Sequence, residues 1–311
     1  MAIRDEYELI AHPRIADCSM FLVDLIYRPL HLHKEIELCY VISGAGTVTN
    51  EQGSVSAAAG DILLFDSGIA HEIHAEGDAL RLLAIQTSKA FCLRYYPQLR
   101  NLSFGSCRVN DFCGAGQIGE LKKTMLTAFS AYLSLDASGI FLCMAKVNEI
   151  FSMLLAHVPY RMLDDTQAST QAKNAERLHR VLAYLEEHFR EPVRLRELAR
   201  MEGITETHLS HFLKEQLHIP FQEYLSRLRL EAAMYLLKTS SMSVTDVSYA
   251  CGFSDPKYLN LCFQKNIGIS PMQWRKLDRQ QVDWHFKTNQ FTMQHILPEA
   301  DCAAILQRLG V

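Results

Sequence analysis

Leu198-Ala199-Arg200-Met201-Glu202-Gly203-Ile204-Thr205 is echoed further along by Val247-Ser248-Tyr249-Ala250-Cys251-Gly252-Phe253-Ser254. The likeness runs on through His208-Leu209-Ser210 to Leu213-Lys214 in the first copy, and through Tyr258-Leu259-Asn260 to Phe263-Gln264 in the second. The glycines are 49 residues apart and the pairs beyond them 50, so the second turn holds one extra residue. Each copy reads as a short helix, a glycine turn and a second helix. Glycine permits the left-handed backbone at which a helix can break sharply. Thr205 and Ser254 (or Asp255) stand where the next helix needs a cap. Leu209, Phe212 and Leu213 give the second helix of the first copy an apolar face. Tyr258, Leu259, Cys262 and Phe263 do so in the second.

A helical hairpin of this shape is a helix-turn-helix, whose second helix enters the major groove of DNA by its N-terminal residues. Around the two copies, residues 175–279 read as helices with short turns. Residues 164–174 are polar, lack large apolar side chains and are expected to be a linker. The tail 280–311 has no assigned role and is expected to end in a short helix, Ala300 to Leu309.

The sequence surrounding the repeat resembles the C-terminal domain of the AraC/XylS family of bacterial regulators. The matching stretches begin with Tyr184-Leu185-Glu186-Glu187-His188-Phe189 and Leu195-Arg196-Glu197-Leu198-Ala199. They continue with Phe221-Gln222-Glu223-Tyr224-Leu225-Ser226-Arg227-Leu228-Arg229-Leu230, Ala233-Met234-Tyr235-Leu236-Leu237 and Ser243-Val244-Thr245-Asp246-Val247. The last run is Gly252-Phe253-Ser254-Asp255, then Tyr258, Phe263 and Gly268-Ile269-Ser270-Pro271-Met272-Gln273-Trp274-Arg275-Lys276. The resemblance implies two helix-turn-helix units joined by a long helix, here about 220–238. That spacer would set two reading helices in successive major grooves, roughly 10 bp apart.

Carried onto this sequence, the resemblance points to Thr207, His208, Ser210 and His211 in the first reading helix. In the second it points to Lys257, Tyr258, Asn260 and Leu261, with Tyr258 expected to sit more in the core than on the DNA. Lys214, Lys257 and Lys265 are the expected phosphate contacts, which position without specifying sequence. The family often has Arg where this sequence has His211 and Leu261, Lys where it has Gln264, and Gly where it has His218. Losing Arg removes the commonest guanine contact, so modest affinity and dependence on a homodimer are expected.

Residues 20 to about 86 change character. Phe21–Tyr27, Ile36–Ile42, Asp61–Phe65 and Leu80–Ile85 are rich in strand formers and separated by glycine turns, which suggests a small barrel or sandwich. From about 115 the spacing becomes helical, with Ile118–Leu133 and Ile140–His157 expected to pair. The second of these is apolar on more than one face. It is expected to pack on the barrel, on its partner helix and on a second subunit.

One cluster in the front half carries chemistry: His31-x-His33-x-x-x-Glu37, with His71 beyond Ser67-Gly68. Residues two or four apart on a strand face the same side, so the first three can share an inward face. Three imidazoles and a carboxylate suit a first-row divalent metal. The pattern resembles the cupin barrel, whose enzymes use this quartet for metal chemistry. Gly44 completes the first motif, whereas Asp66 and Ala75 stand where the second usually has Pro and Asn. AraC-type regulators often keep parts of this pattern in a metal-free pocket. Hence two alternatives stand: a divalent metal on His31, His33, Glu37 and His71, or a ligand pocket with no required cofactor, formed by His31, His33, Glu37, Tyr40 and His71. Glu72 and His74 are further wall candidates.

The fold expected is thus α+β and multidomain. It has a cupin-like β-barrel and a helical pair (1–163), a linker (164–174), an all-α double helix-turn-helix domain (175–279) and a tail. The expected partners are promoter DNA, a small-molecule effector such as a sugar or sugar derivative, RNA polymerase and a second copy of the chain. An activator is expected, not an enzyme. A metal-dependent cupin enzyme fused to a DNA-binding domain is the alternative, as is control by a protein partner through tail aromatics Trp284, Phe286 and Phe291.

Bulk properties agree. Net charge is −4 over 311 residues, but it is uneven. Residues 1–170 carry 13 Lys+Arg against 19 Asp+Glu, a net of −6, and residues 176–279 carry 15 against 13, a net of +2. The reading half is the basic one, though weakly, so its charge has to be clustered to serve nucleic acid. Nine cysteines without a C-x-x-C pair fit free thiols in a reducing compartment. No unbroken apolar run approaches the roughly 18 residues of a bilayer span, and Met1–Glu6 lacks a signal core. A cytoplasmic protein away from membranes is expected.

Overall fold

The computed structural model describes residues 14–50, 53–77, 79–134, 136–217, 219–276 and 293–310. They fall into two compact units, one of residues 14–175 with 293–310 and the other of residues 176–276.

The first unit opens with seven strands: β1 (Cys18–His31), β2 (Glu35–Ser43), β3 (Ala45–Asn50), β4 (Gly53–Ala58), β5 (Ile62–Phe65), β6 (His71–Ala75) and β7 (Leu80–Ser88). The short β8 (Leu102–Ser103) and β9 (Ser106–Arg108) follow, then helices α1 (Ala115–Ser134) and α2 (Ala137–His157), then β10 (Arg161–Met162), which pairs with β8. The main sheet runs β4-β3-β6-β1-β7-β2-β5-β9, antiparallel throughout, and curls into a near-closed barrel. Its central strands are buried on both faces, which is why β2 reads as a continuous apolar run, whereas the edge strand β4 is mostly exposed. Alternation divides the side chains between two cores. Val23, Leu25, Cys39, Val41, Leu63, Phe65, Leu82 and Ala84 fill the interior. Met20, Leu22, Ile36, Leu38, Ile62, Leu64, Leu83 and Ile85 face outward and pack with α1 and α2.

Helix α2 begins at a cap, where Asp136 accepts from the Gly139 N–H at 2.6 Å. Among the described residues it is the one helix long and apolar enough to cross a bilayer by length and composition, as the core helix of a globular domain also can be, and Lys146 and Glu149 interrupt its apolar run. Its Cys143, Val147, Ile150, Phe151 and Leu154 are buried in the outer core, while Phe141 is 78% exposed beside Ile140 and Leu142.

The expected linker is helical. Helix α3 spans Asp165–His188, and the division between units falls within it. A capping box starts it: Gln167 N–H donates to Asp164 Oδ1 at 2.8 Å, and Asp164 N–H donates to Gln167 Oε1 at 3.1 Å. The second unit continues with α4 (Leu195–Met201), α5 (Glu206–Leu217), the long α6 (Phe221–Thr239), α7 (Val244–Ala250), α8 (Pro256–Ile267) and α9 (Pro271–Lys276). Its buried side chains come from every helix, including Leu185, Leu198, Leu209, Leu225, Val247, Leu259, Phe263 and Pro271. The indole N–H of Trp274 donates to the Met234 carbonyl at 3.1 Å and ties α9 to α6.

The tail then rejoins the first unit. Strand β11 (Met293–Ile296) pairs with β1, and helix α10 (Glu299–Arg308) buries Cys302 and Leu306 in the outer core. The expected terminal helix is present, one residue earlier than read. Trp284, Phe286 and Phe291 lie outside the described residues, as does His218.

Candidate functional sites

The two turns of the second unit are built alike. After α4, Gly203 takes φ +65°, and after α7 Gly252 takes φ +82°. In each case the residue after the glycine donates back into the preceding helix, Ile204 to Ala199 and Phe253 to Ser248, at 3.0 and 3.1 Å. Thr205 Oγ1 accepts from the His208 N–H at 3.2 Å and caps α5. Of the two caps considered for α8, Asp255 is the one used, accepting from the Lys257 N–H at 2.8 Å.

With Leu209, Phe212 and Leu213 turned inward, α5 exposes Thr207, His208, Ser210, His211 and Lys214. Helix α8 turns Leu259 and Phe263 inward and exposes Lys257, Tyr258, Asn260, Leu261 and Lys265. Tyr258 is not a core residue: it is 46% exposed, and Lys257 Nζ lies 5.0 Å from its ring centre. Lys265 leans on Glu223 of α6 at 3.0 Å, so a phosphate has to compete with that carboxylate.

The barrel's chemistry gathers on the interior face. His31, His33, Glu37 and His71 are all buried, and their ligand atoms lie within 4.8 Å of one another. Glu37 Oε2 lies 3.1 Å from His33 Nε2 and 3.2 Å from His71 Nε2. The other nitrogen of each ring faces a backbone oxygen: His33 Nδ1 lies 3.0 Å from Glu35 O, and His71 Nδ1 lies 3.1 Å from Ile69 O. Carbonyls accept only, so each Nδ1 carries the hydrogen. In a neutral ring this leaves Nε2 with a lone pair aimed at the carboxylate. Burial lowers the His71 pKa against the pull of Glu37, which favours that neutral form. Lone pairs converging on a carboxylate oxygen call for a cation, and imidazole N–H bonded to backbone carbonyls is the usual outer support of metal-ligating histidines. The donor set fits a divalent metal.

His31 is held well below its ordinary pKa by burial first and then by the Arg28 charge. For Glu37 burial works upward, but the charge and hydrogen bonds that the His33 and His71 rings supply when protonated outweigh it and hold the carboxyl well below the usual range, a balance that a bound cation would take over from the protons. His71 stacks on Phe65 at 3.9 Å. Asp66, at the usual proline position, accepts from the Ser67 and Phe104 N–H groups at 2.7 and 3.0 Å and pairs with Lys89 at 2.9 Å. A carboxylate therefore pins the turn that proline would stiffen.

Beside the quartet lies a small cavity that is partly open to solvent. Its walls include Arg28, His31, Glu37, Cys39 and Gln86. Three wall expectations are corrected. Tyr40 has the opposite parity to Glu37 and Cys39, packs on the outer core and sits under Lys122 of α1 at 5.5 Å. Glu72 and His74 flank the inward Ile73 and point the other way, and neither lines the cavity. Arg28 and Gln86 were not anticipated. Gln86 shares its face with Leu82 and Ala84, a signal present in the alternation.

Two turn-linked helix pairs, each presenting a polar helix face, define a double helix-turn-helix domain. Residues 198–277 match the family model for the helix-turn-helix domain, and residues 27–86 match that for the cupin domain. The transcriptional activator RhaS of Escherichia coli O139:H28 is 39% identical over 103 residues, 33% of this chain and 37% of that protein. The chain thus spans little more than a third of RhaS. The Msm operon regulatory protein of Streptococcus mutans is 22% identical over 241 residues, 76% of this chain and 82% of that one. The solved structure of ToxT from Vibrio cholerae, with an unsaturated fatty acid bound, covers 84% of this chain and 96% of its own at 14% identity and a TM-score of 0.40. The chain thus carries a cupin domain in front and a helix-turn-helix domain behind, the latter similar to that of the activator RhaS.

Proposed function

We propose that this protein binds promoter DNA in sequence-specific fashion, activates transcription, and takes its signal from a small molecule held in the barrel. The observation that carries this is the pair of exposed polar faces on α5 and α8, each set by its own glycine turn. Thr207, His208, Ser210 and His211 read one major groove, and Lys257, Tyr258, Asn260 and Leu261 the next, about 10 bp away. Lys214 and Lys257 meet phosphates. RhaS is named an activator, which supports activation here through RNA polymerase.

The exposed Phe141, Ile140 and Leu142 of α2 support a homodimer through the helical pair. The effector is a small polar molecule, a sugar or sugar derivative among them. His31, His33, Glu37 and His71 would hold a divalent metal, which when bound supplies a Lewis-acidic point for an effector oxygen. Arg28 and Gln86 orient the remainder of that molecule, and the apolar walls exclude water.

The test is enrichment of sheared genomic DNA on full-length protein over a range of salt, read by sequencing. A few promoter sites with two contact positions one turn apart, and affinity falling as salt rises, are expected. Recovery of no preferred sequence, with and without cell extract as a source of effector, refutes the proposal.

A further inference from the structure

Gln294 lines the barrel cavity together with Arg28, Glu37 and Gln86. It comes from β11, which follows the whole reading unit in the chain. One edge of β1 is taken by β7 from Cys18 to Leu25, and the other by β6 from Tyr27 to His31. Strand β11 occupies that second edge where β6 leaves off, pairing Leu25 with Gln294, Asp24 with His295 and Val23 with Ile296. The Leu297 N–H donates to the Leu22 carbonyl at 2.9 Å. Helix α10 anchors the strand through buried Cys302 and Leu306 and through the Arg14–Glu299 ion pair.

A second observation calls for an occupant. Gln86 is 1% exposed and its Nε2 donates to Glu37 Oε1 at 2.8 Å. Its Oε1 has no hydrogen-bond partner among the described residues. Flipping the amide would set oxygen against the carboxylate, so this orientation is fixed. A buried acceptor wants a donor, and a hydroxyl group supplies one while also accepting from Arg28 or Gln294.

We propose that the C-terminal segment is a working wall of the sensor: β11 covers the cavity, and Gln294 together with Gln86 holds a small hydroxyl-bearing molecule inside it. The inference rests on the barrel being the sensor, as proposed above. Covering the cavity with the segment that leaves the reading unit links occupancy of one to the chain path of the other.

Cys39 provides the readout, because it lines the cavity and is 2% exposed, whereas Cys18 lies in the outer core at 0%. Full-length protein is treated with methyl methanethiosulfonate, and each cysteine is followed by peptide mass spectrometry. Hydrogen-bonding residues alternate along an antiparallel pair, so the next N–H after Leu297 to face β1 is that of His295. His295→Pro removes it and is expected to speed Cys39 modification about tenfold through local opening, with Cys18 unchanged. Leu306→Ala, which loosens α10 and leaves β11 intact, is expected to give a smaller gain of the same kind.

The inference is overturned by a Cys39 rate that neither variant raises, or by one as fast in the wild type as at an exposed thiol. Equal gains at Cys18 in both variants also overturn it, since the segment is then a general prop of the fold. A panel of sugars, sugar acids and polyols at millimolar concentration is run on the same assay. At least one member is expected to slow Cys39 labelling severalfold in the wild type and not in Gln294→Leu. A panel without effect removes the hydroxyl assignment. The labelling needs no DNA, so its failure is distinguishable from failure of the regulator proposal, which the enrichment experiment reads.

Discussion

Replacing Gly252 by alanine is expected to cost the reading unit far more than the same change at Gly203. Both glycines sit in the left-handed region, at φ +82° and +65°. That conformation costs an L-residue about 1–2 kcal/mol, offset by about 0.4–1 kcal/mol from a stiffer unfolded chain. At Gly203 nothing lies within 4 Å of an added Cβ, so the net loss is about 1 kcal/mol. At Gly252 the Cβ would fall 2.7 Å from the carbonyl oxygens of both Phe189 and Arg190. The Phe189 oxygen cannot simply retreat, because it accepts from Arg229 Nε at 2.7 Å. Relieving such an overlap typically costs a further 1–3 kcal/mol, for a total of about 2–4 kcal/mol. The assay is urea unfolding of the full chain, read by hydrogen exchange in peptides from α7 and α8. Equal losses for Gly203→Ala and Gly252→Ala would refute the account of the second turn as a close main-chain approach.

Three further outcomes follow from the geometry. Acid should weaken the barrel. His31 and His71 are held below their ordinary 6.5 when folded, so the unfolded chain binds more protons and stability falls as pH drops below that value. Glu37, held below 4.5, adds a further loss under that pH. Urea midpoints at pH 7.5, 6 and 5 check this, and a flat profile that His31→Gln leaves unaltered contradicts it. Untagged protein reconstituted with Zn²⁺, Ni²⁺ or Mn²⁺ should bind about one ion per chain, measured by elemental analysis. It should also gain about 4 kcal/mol at a thousandfold excess over Kd. Both effects should vanish in Glu37→Gln, and a stoichiometry near zero ends the metal reading. On the selected DNA, Asn260→Ala should cost about 1–3 kcal/mol and relax sequence preference at one position, while Lys214→Ala should weaken all sequences alike and lower the salt slope by about one. Competition binding at several salt concentrations separates the two.

Much of this architecture is legible in the residues. The two turns announce themselves because a left-handed glycine and an inward Leu recur at matching offsets, and α6 was placed within a residue of Phe221–Thr239. Parity also places Glu37, Cys39 and Gln86 on one face, and applied consistently it would have turned Tyr40 outward. The polarity of 164–174 points to a linker. The decisive feature is the Asp164–Gln167 capping box, which starts a helix whatever the polarity of the residues behind it. Tyr258 went astray because four apolar positions were assigned to a helix that buries two, Leu259 and Phe263. Strand β11 carries no local signal of its partner. Its pairing with β1 joins residues some 270 positions apart, and an edge vacancy on a barrel is a property of the assembled sheet.

That distant pairing governs the order in which the protein can be made. Synthesis proceeds from the N-terminus at about 5–20 residues per second. Every helix through α9 is therefore translated before β11 exists. Arg14 waits for Glu299, and the outer core waits for Cys302 and Leu306. The domain begun first is the one finished last, with the reading helices folded as an insertion inside it. A released chain that ended after Lys276 would hold complete reading helices and an unfinished sensor. The cell thus has no moment at which a finished sensor precedes its reader.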